Sequence, residues 1–154
     1  MLDILGREGI HRAVETSGFA PAYVFDRVTD KSGLILFDLK HHHRERHRQF
    51  TGVYNDSILA NLKSLVKSGR PVLVRLPVIT GCNDTLADAA SYTAPLASAG
   101  VKEVQLLPFH QFGKHKCRLL GRDYALKDAR PLCGEDLAEF AQALRSRGIQ
   151  ALPL

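Results

Sequence analysis

The three cysteines of this 154-residue chain, Cys82, Cys117 and Cys133, lie far apart, and no C-x-x-C or C-x-x-x-C-x-x-C spacing occurs. That absence excludes a locally wired iron–sulfur loop or zinc knuckle and leaves three buried or incidental thiols. No apolar run approaches the roughly 20 residues of a membrane span. The first nine residues carry Asp3 and Glu8 and lack the basic-then-apolar layout of a secretory signal, so a reducing cytoplasm is the expected compartment. There is no internal repeat, low-complexity tract or linker, and residues 1–154 read as a single domain. Acidic residues are in modest deficit, 16 against 21 Lys and Arg, for a net charge of +5. Much of that excess appears in the segment His41 to Arg48. No aromatic-interleaved basic motif accompanies it, so neither nucleic acid nor membrane is an expected partner.

What is present is a globular composition, 45% hydrophobic and 24% charged, enough for one sizeable core and too apolar for disorder. Residues 1–8 read as the tail of a helix stopped by Gly9. A strand is expected over 10–14, ending in Glu15-Thr16-Ser17-Gly18, then a helix over 21–29 with Ala22, Phe25 and Val28 or Thr29 on one face. Residues 34–37 form a continuous apolar run, fit for a strand buried on both faces, which ends in Asp38-Leu39-Lys40. A polar helical stretch over 43–50 closes at Thr51-Gly52, and Asn55 is placed to cap the next helix, which runs to Gly69. A third strand over 71–79 leaves through Thr80-Gly81-Cys82-Asn83-Asp84. An alanine-rich helix over 86–99 is followed by a fourth strand over 101–107, an irregular stretch over 118–131 and an amphipathic helix over 134–147.

Strand and helix thus alternate throughout, which predicts an α/β fold of parallel strands, four of them, as in part of an α/β barrel. In such units the ligand site lies at the carboxyl ends of the strands. The fourth strand shows the pattern best: apolar Val104 to Leu107 stops at Pro108, and His110, Gly113, Lys114 and Lys116 follow. The same rule gathers Glu15, Thr16, Asp38, Lys40, Arg75 and His110 on one rim. The carboxylates suit a cation or a ligand amine, and Lys40, Arg75 and His110 suit a carboxylate or carbonyl oxygen. The alternatives are an ion pair of Asp38 with Lys40 at the strand end, a mid-strand Arg75 that only neutralises an interior acid, and a structural imidazole at His110. His43 and His47 stand one helical turn apart, the spacing of a metal pair, but a charged helix start is the stronger expectation for that segment, as a solvated face.

Taken in order, Glu8-Gly9-Ile10-His11, Glu15-Thr16-Ser17-Gly18, Leu36-Phe37-Asp38-Leu39-Lys40, Phe50-Thr51-Gly52-Val53, the run from Val74 to Asp84, and Leu106 to Lys116 with Leu120-Gly121 resemble the C-terminal part of the pyruvate formate-lyase activating enzyme family, the radical SAM activases of glycyl radical enzymes. The resemblance covers nearly the whole chain. It implies four strands of a TIM-like partial barrel and S-adenosylmethionine held at the upper rim. By position it puts Glu15, Thr16, Asp38, Lys40, Arg75 and His110 at the cofactor, with a monovalent cation at Glu15, Thr16 and Asp38. The family's 4Fe–4S loop and its Gly-Gly-Glu stretch belong to two preceding strands that have no counterpart in these 154 residues. Without thiolates no electron reaches the sulfonium, so no cluster and no radical are expected of this chain alone. In a complete activase the protein partner is a glycyl radical enzyme, from whose glycine a 5′-deoxyadenosyl radical takes hydrogen. The alternative expectation is a non-catalytic remnant or protein-binding module from a truncated or split gene. Either way, an uncovered strand edge near residues 10–14 makes self-association expected.

Overall fold

The computed structural model describes residues 1–152. Its sheet has five strands: β1 Ala13–Thr16, β2 Leu34–Asp38, β3 Val72–Val78, β4 Glu103–Pro108 and β5 Gln150–Leu152. All pairings are parallel, and the strand order across the sheet is the order along the chain. Seven helices accompany them: α1 Leu2–Arg7, α2 Ala22–Thr29, α3 Arg44–Thr51, α4 Asp56–Lys67, α5 Leu86–Ala99, α6 Gly113–Leu119 and α7 Ala138–Arg145. Among the described residues no helix is long and apolar enough to cross a membrane.

The α/β expectation is met, with one strand more than the four foreseen. β5 is only three residues long, too short to announce itself by alternation, and it exists because Gln150 to Leu152 pair with Glu103 to Gln105. β1 also begins later than expected. The chain leaves α1 through a glycine-centred helix stop: Gly9, at φ +70°, donates to the Gly6 carbonyl, and Ile10 donates to that of Leu5. The ladder starts only where Ala13 meets Leu34, so Glu15 and Thr16 lie within the strand rather than beyond it. The closing helix is shorter than expected, since Glu135–Leu137 winds as a tight 3₁₀ turn before α7.

Strand residues alternate between two unlike faces. Ile35 and Phe37, Val74, Leu76 and Val78, Val104 and Leu106, and Ala151 all point under the helices and are buried. They pack there with Leu62, Leu65, Tyr92, Leu96, Phe140 and Leu144 into one core. The intervening residues Leu34, Leu36, Leu73, Leu107 and Leu152 are only half-buried. The expected two-sided burial of residues 34–37 is therefore corrected to one side. A sheet whose strand order never reverses carries its helices on one face, as in a barrel wall, and leaves the other face as the barrel interior.

Local details tie the sequence to this frame. Gly18 turns the chain out of β1 at φ +74°, and a Cβ there would lie 2.3 Å from the Phe37 ring. Only glycine meets both demands. On α2 the buried residues are Phe25 and Thr29, while Ala22 and Val28 face outward. α5 begins with a reciprocal cap, Thr85 accepting from the Asp88 N–H and Asp88 from that of Thr85, and ends at Gly100.

Candidate functional site

β1, β2 and β3 are neighbours, and their register puts Glu15 beside Leu36, and Asp38 beside Arg75, on the open face of the sheet. The guanidinium of Arg75 reaches both carboxylates. Its Nε donates to Asp38 Oδ1 at 2.7 Å and its Nη2 meets Glu15 Oε1 at 2.7 Å. Lys40, two residues beyond Asp38, donates to the other oxygen, Oδ2, at 2.7 Å. Asp38 is almost fully buried, whereas most of the Glu15 side chain is exposed. Burial works to lower the Arg75 pKa, but hydrogen bonds to Asp38 and then Glu15 outweigh it and raise the guanidinium above its ordinary range.

This chain of alternating charges floors a depression of about 370 Å³ whose far wall is Leu107, Pro108, Phe109 and His110. His110 accepts at Nδ1 from the Phe112 N–H at 3.3 Å and lies against the Phe112 ring, centroids 4.2 Å apart and tilted by 35°. Five of the six sequence-derived rim residues, Glu15, Asp38, Lys40, Arg75 and His110, thus line one depression, though they span most of the chain. Thr16 does not join them. It follows Glu15 in the strand and turns to the opposite face, where its hydroxyl accepts from the Gly18 N–H at 3.0 Å. Between Glu15 and Asp38, the place expected of a monovalent cation, stands the guanidinium of Arg75.

The residues that hold this rim in shape were not singled out by sequence. Asn83 is buried and fully engaged, donating to the carbonyls of Lys40 and Pro77 and to Tyr92 Oη, and accepting from the Ile79 N–H. Tyr92 in turn donates to the Lys40 carbonyl at 3.2 Å, and its burial pushes the phenol pKa up. One asparagine thus locks the loop after β2 to the loop after β3. Its only signal in sequence was its place in the strand exit Gly81-Cys82-Asn83-Asp84. A second, largely apolar cavity of about 500 Å³ shares Lys40, Pro77 and Ile79 with the rim and extends to Phe50, Cys82 and Tyr124.

In the segment from His41 to Arg48 the expected solvated face is formed by His43, Arg44, Glu45 and Arg48, which are exposed, whereas His41 and His47 are buried. His47 Nδ1 donates to the Val53 carbonyl at 2.7 Å, and His43 caps α3 through the Arg46 N–H, so these two do not form a metal pair. Asn55 precedes α4 as expected, but its amide donates to the carbonyls of His41 and His42 rather than its oxygen capping the helix. Among the described residues one group of three metal-ligating side chains comes together, His41, His42 and Asp88, with ligand atoms within 4.8 Å of one another. Both nitrogens of His41 are already taken, Nδ1 by the His43 N–H and Nε2 by the Cys82 carbonyl, and His42 bonds Asp88 at 3.0 Å. The group is a structural knot between the β2 exit and α5. Of the three arginines in the segment from His41 to Arg48, Arg44 is held by Asp56 and Glu45.

No protein-family model matches the chain. The 4-hydroxyphenylacetate decarboxylase activating enzyme of Clostridioides difficile (strain CD196) is 37% identical over 143 residues, 91% of this chain and 45% of that protein. The choline trimethylamine-lyase activating enzyme of Oleidesulfovibrio alaskensis is 33% identical over 143 residues, 90% of this chain and 46% of that protein. A crystal structure of a domain of pyruvate-formate lyase-activating enzyme from Bacteroides vulgatus superposes with a TM-score of 0.76 at 28% identity, covering 98% of this chain and 87% of that one. This chain is kin to the C-terminal part of the glycyl-radical enzyme activating enzymes. It spans about half the length of the activating enzymes it matches. Its singly wound sheet is accordingly a segment of their radical SAM partial barrel, and full-length members of that family use S-adenosylmethionine and a 4Fe–4S cluster.

Proposed function

We propose that residues 1–154 form one domain of a glycyl-radical enzyme activase and that its rim is the distal half of an S-adenosylmethionine site. The observation that carries this reading is the convergence of Glu15, Asp38 with Lys40, Arg75 and His110 from four neighbouring strands and their exits on one depression. The donor set suits the cofactor's charges. The exposed Glu15 carboxylate can meet an amine, the half-exposed Lys40 ammonium a carboxylate, and the His110 Nε2 a ribose hydroxyl. When bound, S-adenosylmethionine would supply the radical that takes a hydrogen atom from a glycine of the protein substrate. Arg75 and Asn83 would keep the rim charges in place. Thr16 would act beside them only by holding the turn after β1 through Gly18. The apolar cavity beyond Lys40 would receive a side chain of the substrate polypeptide.

Titration calorimetry with S-adenosylmethionine tests the site. Affinity on the order of 1 mM is expected, about 4 kcal/mol, because the cluster and the Gly-Gly-Glu stretch are not in this chain. Binding that survives His110→Ala and Glu15→Gln together would remove the rim from the site.

One observation favours a second reading, a protein-binding module with no chemistry of its own. Cys82 lies in the turn after β3, Cys117 on α6 and Cys133 in the irregular stretch before α7, and no thiol belongs to the one ligand group found among the described residues. These residues do not fit a cluster. Reconstitution with iron and sulfide followed by EPR separates the readings: a cubane signal on this chain alone would make it self-sufficient, and a signal that appears only with an added cysteine-bearing partner polypeptide would support the split activase.

A further inference from the structure

We infer that α6 and its flanks are a docking surface for an acidic polypeptide segment that also carries apolar side chains, an assignment independent of what binds in the rim. Residues 110–122 contain four Lys or Arg and no Asp or Glu, against a net charge of +5 for the entire chain. What distinguishes these cations is that they are clustered without a carboxylate of their own segment to answer them. Arg44, Arg70, Arg75 and Arg130 all contact carboxylates, whereas among the described residues Lys114, Lys116 and Arg118 have none within 4.0 Å. Folding gains nothing from leaving like charges together on one short helix, where their mutual repulsion opposes it.

The apolar residues of the same segment are as exposed as its charges. Phe112 is 81% exposed, Leu119 72% and Leu120 58%, while the helix buries no residue at all. Phe112 and Leu119 are seven residues apart, two helical turns, and so share a side. A surface that mixes uncovered leucine and phenylalanine with unpaired cations matches a partner offering both carboxylates and apolar side chains. A phosphodiester backbone would satisfy the charges and leave the leucines wet. Docking here would also reach the rim, because the Phe112 ring lies against that of His110.

The test is fluorescence anisotropy of the whole chain with a labelled peptide of alternating glutamate and leucine. A peptide of alternating serine and leucine and a labelled oligouridylate serve as comparison probes. The glutamate peptide is expected to bind best, more weakly as salt rises. The triple change Lys114→Glu, Lys116→Glu, Arg118→Glu should weaken it at least about tenfold, and Phe112→Ala several-fold. The charge-matched triple Lys63→Glu, Lys67→Glu, Lys102→Glu, on exposed sites away from α6, should change it less than about twofold. Amide shifts of the unmutated chain should move over residues 112–122. Equal losses from the two triples, shifts elsewhere, no binding, or tighter binding of the oligouridylate would each overturn the proposal.

Discussion

Arg75 stands directly opposite Asp38 on the neighbouring strand, and its Nε closes on Asp38 Oδ1 at 2.7 Å. Asp38 is 6% exposed, so this pair is what makes a carboxylate tolerable at the sheet's open face.

Breaking that pair should therefore cost more than a surface salt bridge. Arg75→Met leaves Asp38 with Lys40 as its remaining cation and is expected to destabilise the chain by about 2–3 kcal/mol. Asp38→Asn together with Arg75→Met should cost less than the two single changes summed. Urea denaturation of the four proteins measures the coupling, and strict additivity would show that the ion pair contributes nothing.

Asn83→Ala removes a side chain that satisfies four polar groups, two of them carbonyls at Lys40 and Pro77. A loss of about 2–3 kcal/mol is expected, with Tyr92→Phe costing about 1 kcal/mol. Hydrogen exchange should show both loops, after β2 and after β3, opening together in Asn83→Ala. Opening confined to one loop would mean that the asparagine does not link them.

His41 sets a pH dependence. Burial first, and the neighbouring charge of His42 second, hold its pKa down to about 4, against 6.5 for an ordinary histidine. The unfolded chain takes up the proton below pH 6.5 and the folded chain only near 4, so stability must fall as pH drops through that window, by no more than about 3 kcal/mol. Asp88 adds a loss at lower pH. Burial works to raise its carboxyl, but hydrogen bonds to Thr85 and His42 prevail and hold it below the usual range. The measurement is thermal unfolding between pH 7 and 4, where His41→Asn should flatten the profile; an unchanged slope would assign the effect to another group.

β1 has a partner on one side only, and the open sheet face presents Leu34, Leu36, Leu73 and Leu107 half-covered. Self-association at high concentration is the expected result. Light scattering across a dilution series checks this, and a monomer throughout would show that four residues of free edge are too few to pair.

Much of this architecture could be read from periodicity and punctuation. The helix expected over 86–99 is the helix found, because Thr85, Asp88 and Gly100 mark its ends chemically. β5 was out of reach since only pairing with β4 makes Gln150 to Leu152 a strand. The convergence of Glu15, Asp38, Arg75 and His110 followed from parallel topology, yet the arginine's bridging of two acids depends on a register that no local pattern encodes. The burial of His41 and His47 was equally hidden, as their surroundings come from Val53, Asn55, Cys82 and Asp88.

A sheet whose spatial order copies the order of synthesis has a kinetic corollary. Each strand finds its partner in the unit made just before it, so no segment waits for a distant one to be translated. Growth can proceed unit by unit as the chain leaves the ribosome, with β1 and β2 already templated when β3 emerges. Among the described strands the free edges are those of β1 and β5, the first and last made, so pairing with another polypeptide at either edge would leave the folding route of this one intact.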